Sequence, residues 1–192
     1  MGVNSPFTLR SGSTKTAGQG ALFASARTVS SGFFENGTLE PGALPRRSAA
    51  DAEVRPGDVL VTLRGPVNAA AVLREELPQP VFATLDLAVL RTSSELDPGY
   101  LTWFINLPAT QTALASLRVS SGIPRLPLAA LGSLVVPLSS LGAQRRIAAI
   151  SDLCREEARI TSALIRARHT LLQHTLSTIA QRSAQGAAPC TP

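Results

Sequence analysis

The longest regular pattern of apolar positions in this chain lies near its C-terminal end, from Ser140 to about Ala184. Between Gln144 and Gln181 there is no Pro and no Gly, the residues that most strongly interrupt helices. Apolar side chains recur there every three or four residues, which predicts a helix about 60 Å long. We expect its apolar face to pair with another helix as in a coiled coil, the alternative being a helix folded back on its own domain. The positions expected to mediate this association are Ile150, Leu153, Ile160, Leu164 and Leu171.

Upstream of this helix, short apolar runs alternate with turns. The run Val59–Leu63 is apolar on both faces apart from Thr62, which predicts a buried strand. Asp97 before Pro98 predicts a helix start, with Asp as the N-cap and Pro at the first helical position. Turns are expected at Arg55–Asp58 and Arg64–Pro66. Less distinct patterns predict strands over 21–29, 67–73, 81–91 and 134–136, a hairpin that turns at Asn36–Gly37, a loop over 41–51 and a helix over 109–118.

These patterns together predict an α+β fold. A mixed, twisted-sheet domain is expected over residues 1–139, because its short strands are separated by turns and two helices. One long helix of the coiled-coil type is expected over 140–184, and a disordered tail over 185–192.

The charge of the chain points to an acidic partner. The 192 residues carry a net charge of +5, and Lys15 is the only lysine among 18 basic residues. A GC-rich genome would enrich arginine in the same way, but arginine also offers a planar fork that suits phosphates and guanine edges. Residues 51–140 hold six basic and eight acidic residues, net −2. Any nucleic-acid contact in that region must therefore come from a few well-placed arginines.

Several functional classes are not supported by the sequence. Cys154 and Cys190 form neither a disulfide framework nor a metal-ligand cluster, and His169 and His174 lie five residues apart rather than four. There is no glycine-rich cofactor loop and no clustered carboxylates of a nuclease. We predict no catalytic residues, no metal and no cofactor. The cysteines show no disulfide pattern and no signal-peptide pattern opens the sequence, so we predict a cytoplasmic protein. Prolines interrupt the most apolar run, Leu126–Ala143, so we predict no membrane span.

Three motifs in a fixed order resemble one known family. They are the turn–strand–turn Pro56–Gly65, the helix start Leu96–Leu101, and a glycine segment at Ser121–Gly122 that leads through Leu134–Leu138 into Leu141–Ile147. In this order the chain resembles the target-recognition domain and spacer helix of the specificity subunit of type I restriction–modification systems. It departs from the family where Ser139, Ser140 and Ala143 replace two prolines and a glutamate, whereas Gln144 is retained.

The resemblance implies a non-catalytic DNA-recognition subunit. Such a subunit directs a methyltransferase, and in some systems a translocating nuclease, to a site in double-stranded DNA; S-adenosylmethionine, magnesium and ATP would belong to those partners. Arg64 beside Gly65 and Arg125 beside Gly122 are the expected base readers, because they lie at turns. Arg10, Lys15, Arg46 and Arg47 are the expected phosphate contacts.

The family usually has two recognition domains and two helices, whereas this sequence shows one of each. It therefore resembles a half-length form that works as a homodimer or pairs with another specificity half. The alternative is an interaction protein or remnant half subunit that docks onto such complexes through its helix without reading DNA. The sequence leaves open the target, the partner subunits and the choice between these forms.

Overall fold

The computed structural model describes residues 6–30, 32–43, 52–119 and 122–186, with the backbone alone for 16, 17, 30 and 184–186. The predictions at Arg46, Arg47 and Cys190 lie outside the described residues. The strands are β1 (Phe7–Ser11), β2 (Thr16–Ala24), β3 (Val29–Ser30), β4 (Phe33–Phe34), β5 (Glu40–Ala43), β6 (Glu53–Val54), β7 (Val59–Thr62), β8 (Ala70–Val72), β9 (Val81–Ala83) and β10 (Leu87–Thr92). The helices are α1 (Pro98–Asn106), α2 (Pro108–Ser116), α3 (Leu128–Gly132) and α4 (Leu141–Gly186).

The strands form two four-stranded sheets. The first has the order β1-β10-β7-β8 and is antiparallel throughout. The second has the order β5-β2-β9-β6, in which β2 and β9 run parallel. Strands β3 and β4 form a separate two-stranded ribbon. This architecture confirms the predicted α+β class with mixed, twisted sheets.

Strands β7 and β8 of the first sheet are buried on both faces. Side chains alternate across a strand, so Val59 and Val61 of β7 point one way and Leu60 the other. Val59 and Val61 join a core with α1, α2 and α3, whereas Leu60 joins a second core with β2 and β9 of the other sheet. This arrangement explains why β7 is apolar on both faces and confirms its prediction as a buried strand.

The predicted turn before β7 is confirmed, together with the structural role of its aspartate. Gly57 has a φ of +91°, and the amide of Asp58 donates to the carbonyl of Arg55 at 2.9 Å. The carboxylate of Asp58 is buried. It accepts from the Arg55 amide at 2.9 Å and from both Nε and Nη2 of Arg91, at 2.7 and 2.6 Å. The hydrogen bonds that Arg91 donates to Asp58 raise the pKa of Arg91.

The predicted helix start at Asp97 is also confirmed. Its carboxylate accepts from the amide of Tyr100 at 3.0 Å, and Pro98 occupies the first helical position. The ring of Tyr100 lies 5.1 Å from that of Trp103, centroid to centroid, and its hydroxyl donates to the carbonyl of Pro137. These aromatic residues therefore belong to the packing of α1 on its own domain.

Helix α4 is the longest element and confirms the predicted C-terminal helix. Its 46 residues extend for about 70 Å at 1.5 Å per residue. The chain divides into two compact units, Met1–Ser151 and Asp152–Pro192, so the first turns of α4 belong to the sheet domain. The five predicted association positions are all exposed; Leu153, for example, is 71% accessible. No helix among the described residues is long and apolar enough to cross a membrane.

Five local predictions were wrong. The stretch over 21–29 is not one strand, because a 3-10 helix at Ala26–Thr28 separates the end of β2 from β3. Asn36–Thr38 forms a 3-10 turn rather than a hairpin turn; the chain instead reverses near Gly32, whose φ is +90°, so that β4 pairs with β3. Residues 40–43, expected to be mostly loop, form strand β5. The apolar stretch over 81–91 is two strands, because the turn Thr84–Asp86 carries the chain from one sheet to the other. Residues 134–136 form no strand, and Val135 is 84% exposed.

Candidate nucleic-acid interface

Several connections meet at one end of the first sheet. Strand pairing places the end of β7 and the end of β1 beside the start of β10, as shown by Thr62 opposite Leu87 and Ser11 opposite Ala88. The segment after β1 is fixed there by the Ser13 amide, which donates to the Ala83 carbonyl at 2.8 Å. We name this end the loop edge; it comprises the described residues of 12–15, 64–69, 84–86 and 117–125.

The loop edge brings together the two arginines expected to read bases. Arg64 and Arg125 lie directly opposite each other in an antiparallel bridge. The hydrogen bonds of this bridge are made by the adjacent residues. The amide of Gly65 donates to the carbonyl of Pro124 at 3.1 Å, and the amide of Leu126 donates to the carbonyl of Leu63 at 2.8 Å. This is the non-hydrogen-bonded type of pair, in which the Cα atoms are about 4.5 Å apart and the side chains share one face.

Arg125 also forms an antiparallel bridge with Val119, which extends the pair to a row of three residues. Its backbone exchanges both hydrogen bonds with Val119, at 2.9 and 3.0 Å. Because directly paired residues project on the same side, Arg64, Arg125 and Val119 form a row of three neighbouring side chains. All three are exposed. The row therefore presents two cations and one apolar group to solvent on a single face.

A buried polar network holds these loops in place. Asn68 is fully buried; its Nδ2 donates to the Thr62 carbonyl at 2.7 Å, and its Oδ1 accepts from Nε of Arg118 at 2.8 Å. Arg118 also donates to the Pro66 carbonyl, and Gln111 donates to the Asn68 carbonyl at 2.9 Å. Asn68, Gln111 and Arg118 were not among the residues predicted from the sequence, because isolated polar side chains have no periodicity that marks them.

Arg64 has a carboxylate partner, whereas Arg125 has none among the described residues. Nε of Arg64 lies 3.1 Å from Oδ1 of Asp86, with both side chains about half exposed. The guanidinium of Arg125 has no hydrogen-bond acceptor or carboxylate partner among the described residues. Like charges directly opposite each other destabilise a strand pair, so this arrangement favours the binding of an anion across the row.

The two predicted glycines have backbone conformations that other residues avoid. Gly65 has a φ of +108° and Gly122 a φ of +116°. A Cβ built at either position would meet no atom within 4 Å among the described residues. The surface above both glycines is therefore open, and the tight turns, rather than internal packing, require glycine there.

The predicted phosphate contacts are less concentrated. Lys15 lies at the loop edge, but its ammonium pairs with Glu40, and that hydrogen bond holds the pKa of the Glu40 carboxyl below its usual value. Arg10 is half-buried on the edge strand β1, opposite Val89. The structure thus groups Arg64, Gly65, Gly122 and Arg125, and leaves Arg10 outside this group. The contacts of all these residues with DNA stay predictions.

Apolar side chains surround the paired arginines. Ile123 is 70% exposed, and Val67, Leu85, Leu117 and Val119 are also exposed on the loop edge. Scattered exposed apolar residues are common on protein surfaces, but these five share one set of loops with Arg64 and Arg125. Such a mixture suits a nucleic-acid groove, where arginine contacts phosphate or guanine and apolar groups contact the thymine methyl.

Comparison with solved structures assigns the fold. One, from work on the complex assembly and conformational transition of the type I R-M system, matches 92% of this chain with a TM-score of 0.59 and 21% identity. The HsdS subunit from Thermoanaerobacter tengcongensis matches 84% of it, with a TM-score of 0.53 and 21% identity. The type I S subunit from M. genitalium matches 88%, with a TM-score of 0.55 and 15% identity. The chain has the fold of a type I specificity subunit.

This similarity confirms the family resemblance at the level of the fold. The chain spans 42%, 37% and 41% of the length of those three proteins, in the same order. No family model matches the sequence, and no curated protein matches it. Among the described residues, no three histidine, cysteine, aspartate or glutamate side chains are placed to hold a metal ion.

Proposed function

We propose that this chain is a DNA-recognition subunit of a type I restriction–modification system. In this role it directs a methyltransferase subunit, and a translocating nuclease where one is present, to a specific double-stranded site. The fold supports the assignment, and one observation carries it: Arg64 and Arg125 lie side by side and exposed on one face of the loop edge. S-adenosylmethionine, magnesium and ATP are used by the partner subunits.

The spacing of the side chains in the row is close to the spacing of bases along a DNA strand. Successive bases along one strand are about 3.4 Å apart, and paired residues in a bridge have Cβ atoms about 4.5–5.5 Å apart. Long arginine side chains cover the difference, so Arg64 and Arg125 reach adjacent base pairs. The open surface above Gly65 and Gly122 lets the DNA backbone approach the loop edge. Base contacts then come from the row, and phosphate contacts from Arg10, Lys15, Arg46 and Arg47.

We propose further that the exposed face of α4 pairs with the same helix of a second copy. An apolar stripe of this length, although interrupted by Glu157, needs a partner helix to remove it from water. An antiparallel two-fold pair would hold two identical loop edges apart at a distance set by the helix. The target would then be an inverted repeat of two short half-sites with an unread spacer. A different specificity half as partner would instead give an asymmetric two-part target.

The second candidate is an interaction protein that docks through α4 and reads no DNA. The exposed apolar face of the helix favours this candidate equally, because helix pairing does not depend on the loop edge. The two candidates differ in what the arginines do. Only a DNA reader loses sequence selectivity when Arg64 and Arg125 are replaced.

Selection from a random double-stranded DNA pool tests the proposal. The full chain, alone and with the methyltransferase subunit of its host, is expected to enrich one motif. Arg64→Ala with Arg125→Ala should cost about 1–3 kcal/mol per lost bidentate base contact and abolish the enrichment. Arg55→Ala is the matched control: Arg55 is exposed and ion-paired with Glu53 at the opposite end of β7, so its loss should leave the motif unchanged.

Failure of the wild type to enrich any sequence, both alone and with the partner, would favour the interaction protein. If only the complex enriches a motif, the arginine variants must be compared in that complex. Equal enrichment by the wild type and the double-arginine variant would contradict base reading by the row.

A further inference from the structure

The turn that carries Asp86 is fixed by both sheets. It joins β9 of the second sheet to β10 of the first, and the amide of Leu87 donates to the carbonyl of Thr84 at 2.9 Å. The carbonyl of Asp86 accepts from the amide of Leu63, the residue before Arg64, at 2.8 Å. Asp86 is therefore held at a fixed place relative to the backbone that carries Arg64.

An acidic residue at this place needs an explanation. The loop edge is the surface proposed to face DNA, and a carboxylate that is 42% exposed there repels phosphates. Its ion pair with Arg64 gives little stability in return, because exposed pairs are screened by water and salt. Attraction to DNA therefore does not account for Asp86, and its ion pair contributes little to the stability of the fold.

The geometry of the pair suggests what Asp86 does. It contacts Arg64 through Nε, the inner nitrogen of the guanidinium, at 3.1 Å. The two outer nitrogens donate no hydrogen bond to a side chain or carbonyl in the described part of the chain. These outer nitrogens form the fork that matches O6 and N7 of guanine in the major groove. The ion pair with Asp86 restricts the flexible side chain, so less conformational entropy is lost when the fork binds.

We propose that Asp86 is a positioning residue that orients Arg64 to read guanine, so that each half-site contains a guanine at the position that Arg64 contacts. This inference rests on the proposed function and specifies what the site recognises. Arg125 differs from Arg64 in this respect, because no described carboxylate restrains it. Selectivity for guanine is therefore expected to be sharper at the Arg64 position than at its neighbour.

The test measures base preference at each motif position by quantitative selection at fixed salt. Arg64→Ala should lower the preference for guanine at one position by roughly 5- to 150-fold. Asp86→Ala should lower the preference at the same position and, because it removes a negative charge, strengthen binding to unrelated DNA. Asp86→Asn keeps an oxygen at the site of Oδ1 and should retain part of the preference. Arg64→Ala with Asp86→Ala should be no less selective than Arg64→Ala alone.

Glu53→Ala is the matched control. Glu53 is an acid in an exposed pair with Arg55, 2.7 Å between Oε2 and Nη2, away from the loop edge. Its replacement should change neither base preference nor affinity. Thermal melting of every variant shows whether the fold is retained, and Asp86→Asn is the informative variant if Asp86→Ala unfolds.

The outcomes separate the two proposals. If the wild type selects a motif and Asp86→Ala strengthens binding to all sequences alike, the positioning role is refuted while the proposed function stands. The same holds if the base lost in Arg64→Ala is not guanine. If the wild type selects no motif, the proposed function fails and this inference fails with it.

Discussion

The buried glutamine at the start of α4 offers a sharp test of how the helix joins the sheet domain. Gln144 is fully buried, its Oε1 accepts from the Asp97 amide at 2.8 Å, and its Nε2 donates to the carbonyls of Ser139 and Glu95 at 2.8 and 3.0 Å. Gln144→Glu keeps the acceptor, whereas the two N–H donors are replaced by one O–H donor in the protonated acid and by none in the ionised carboxylate. The carboxylate would then face two carbonyl oxygens, so burial and the loss of donors raise its pKa in the folded state.

The sign of the pH dependence follows from this raised pKa. The unfolded carboxyl loses its proton near pH 4.3, whereas the folded protein retains it to higher pH. Between these two values the folded state binds more protons, so stability falls as pH rises. While the carboxyl keeps its proton, its O–H replaces one of the two donor interactions, so the loss of the other costs about 1–3 kcal/mol. Each pH unit in this window removes up to about 1.4 kcal/mol more. For a chain of 192 residues, each kcal/mol of lost stability lowers Tm by about 2–4 °C.

Urea denaturation of the wild type and Gln144→Glu at pH 5 and pH 7.5 measures the effect. The difference in the free energy of unfolding should be larger at pH 7.5. Gln181→Glu, at an exposed position of the same helix, is the control and should show no such difference. A Gln144→Glu variant with the same deficit at both pH values would mean that water reaches this site, and would refute the reasoning.

Two further predictions concern the association of the helix and the stability of the domain. Leu164→Asp with Leu171→Asp should convert a dimer to a monomer in light scattering, because charges in a desolvated seam cost several kcal/mol. Ser162→Asp with His169→Asp, off the seam, should remain dimeric; a wild type that is monomeric at high concentration would contradict pairing with a second copy. Asp58→Ala should lower the free energy of unfolding by about 3 kcal/mol in urea, because the partly buried arginine that it binds loses its carboxylate; an unchanged midpoint would refute that role.

The elements that the sequence predicted correctly are those with local physical signals. Asp97 and Pro98 cap a helix through contacts within one turn, and Gly57 supplies the positive φ of its own turn. The length of α4 follows from the absence of helix breakers. None of these features needs a partner far along the chain, so pattern and spacing were sufficient to predict them.

The errors arose where tertiary pairing overrides local preference. Asn36–Gly37 is a common hairpin sequence, but Phe33 and Phe34 pair backward with Val29–Ser30, which leaves Asn36–Thr38 to form a 3-10 turn. The stretch over 81–91 is apolar through both β9 and β10, because each strand is buried. Periodicity therefore gave no sign that the chain changes sheets at Thr84–Asp86.

The candidate site shows the same division between local and long-range information. Arg64 and Arg125 were both selected from the sequence because they lie beside turns, but their direct pairing results from long-range contacts that no local pattern encodes. Asp86 lies in a third connection, the turn between β9 and β10. The buried amide of Asn68 fixes the loops, whereas the exposed side chains of the row lie outside the two main cores. Substitutions in the row should therefore change recognition at little cost in stability, because surface changes away from such networks usually stay within about 0.5 kcal/mol. A loop edge built in this way separates the residues that hold the fold from those proposed to choose the target.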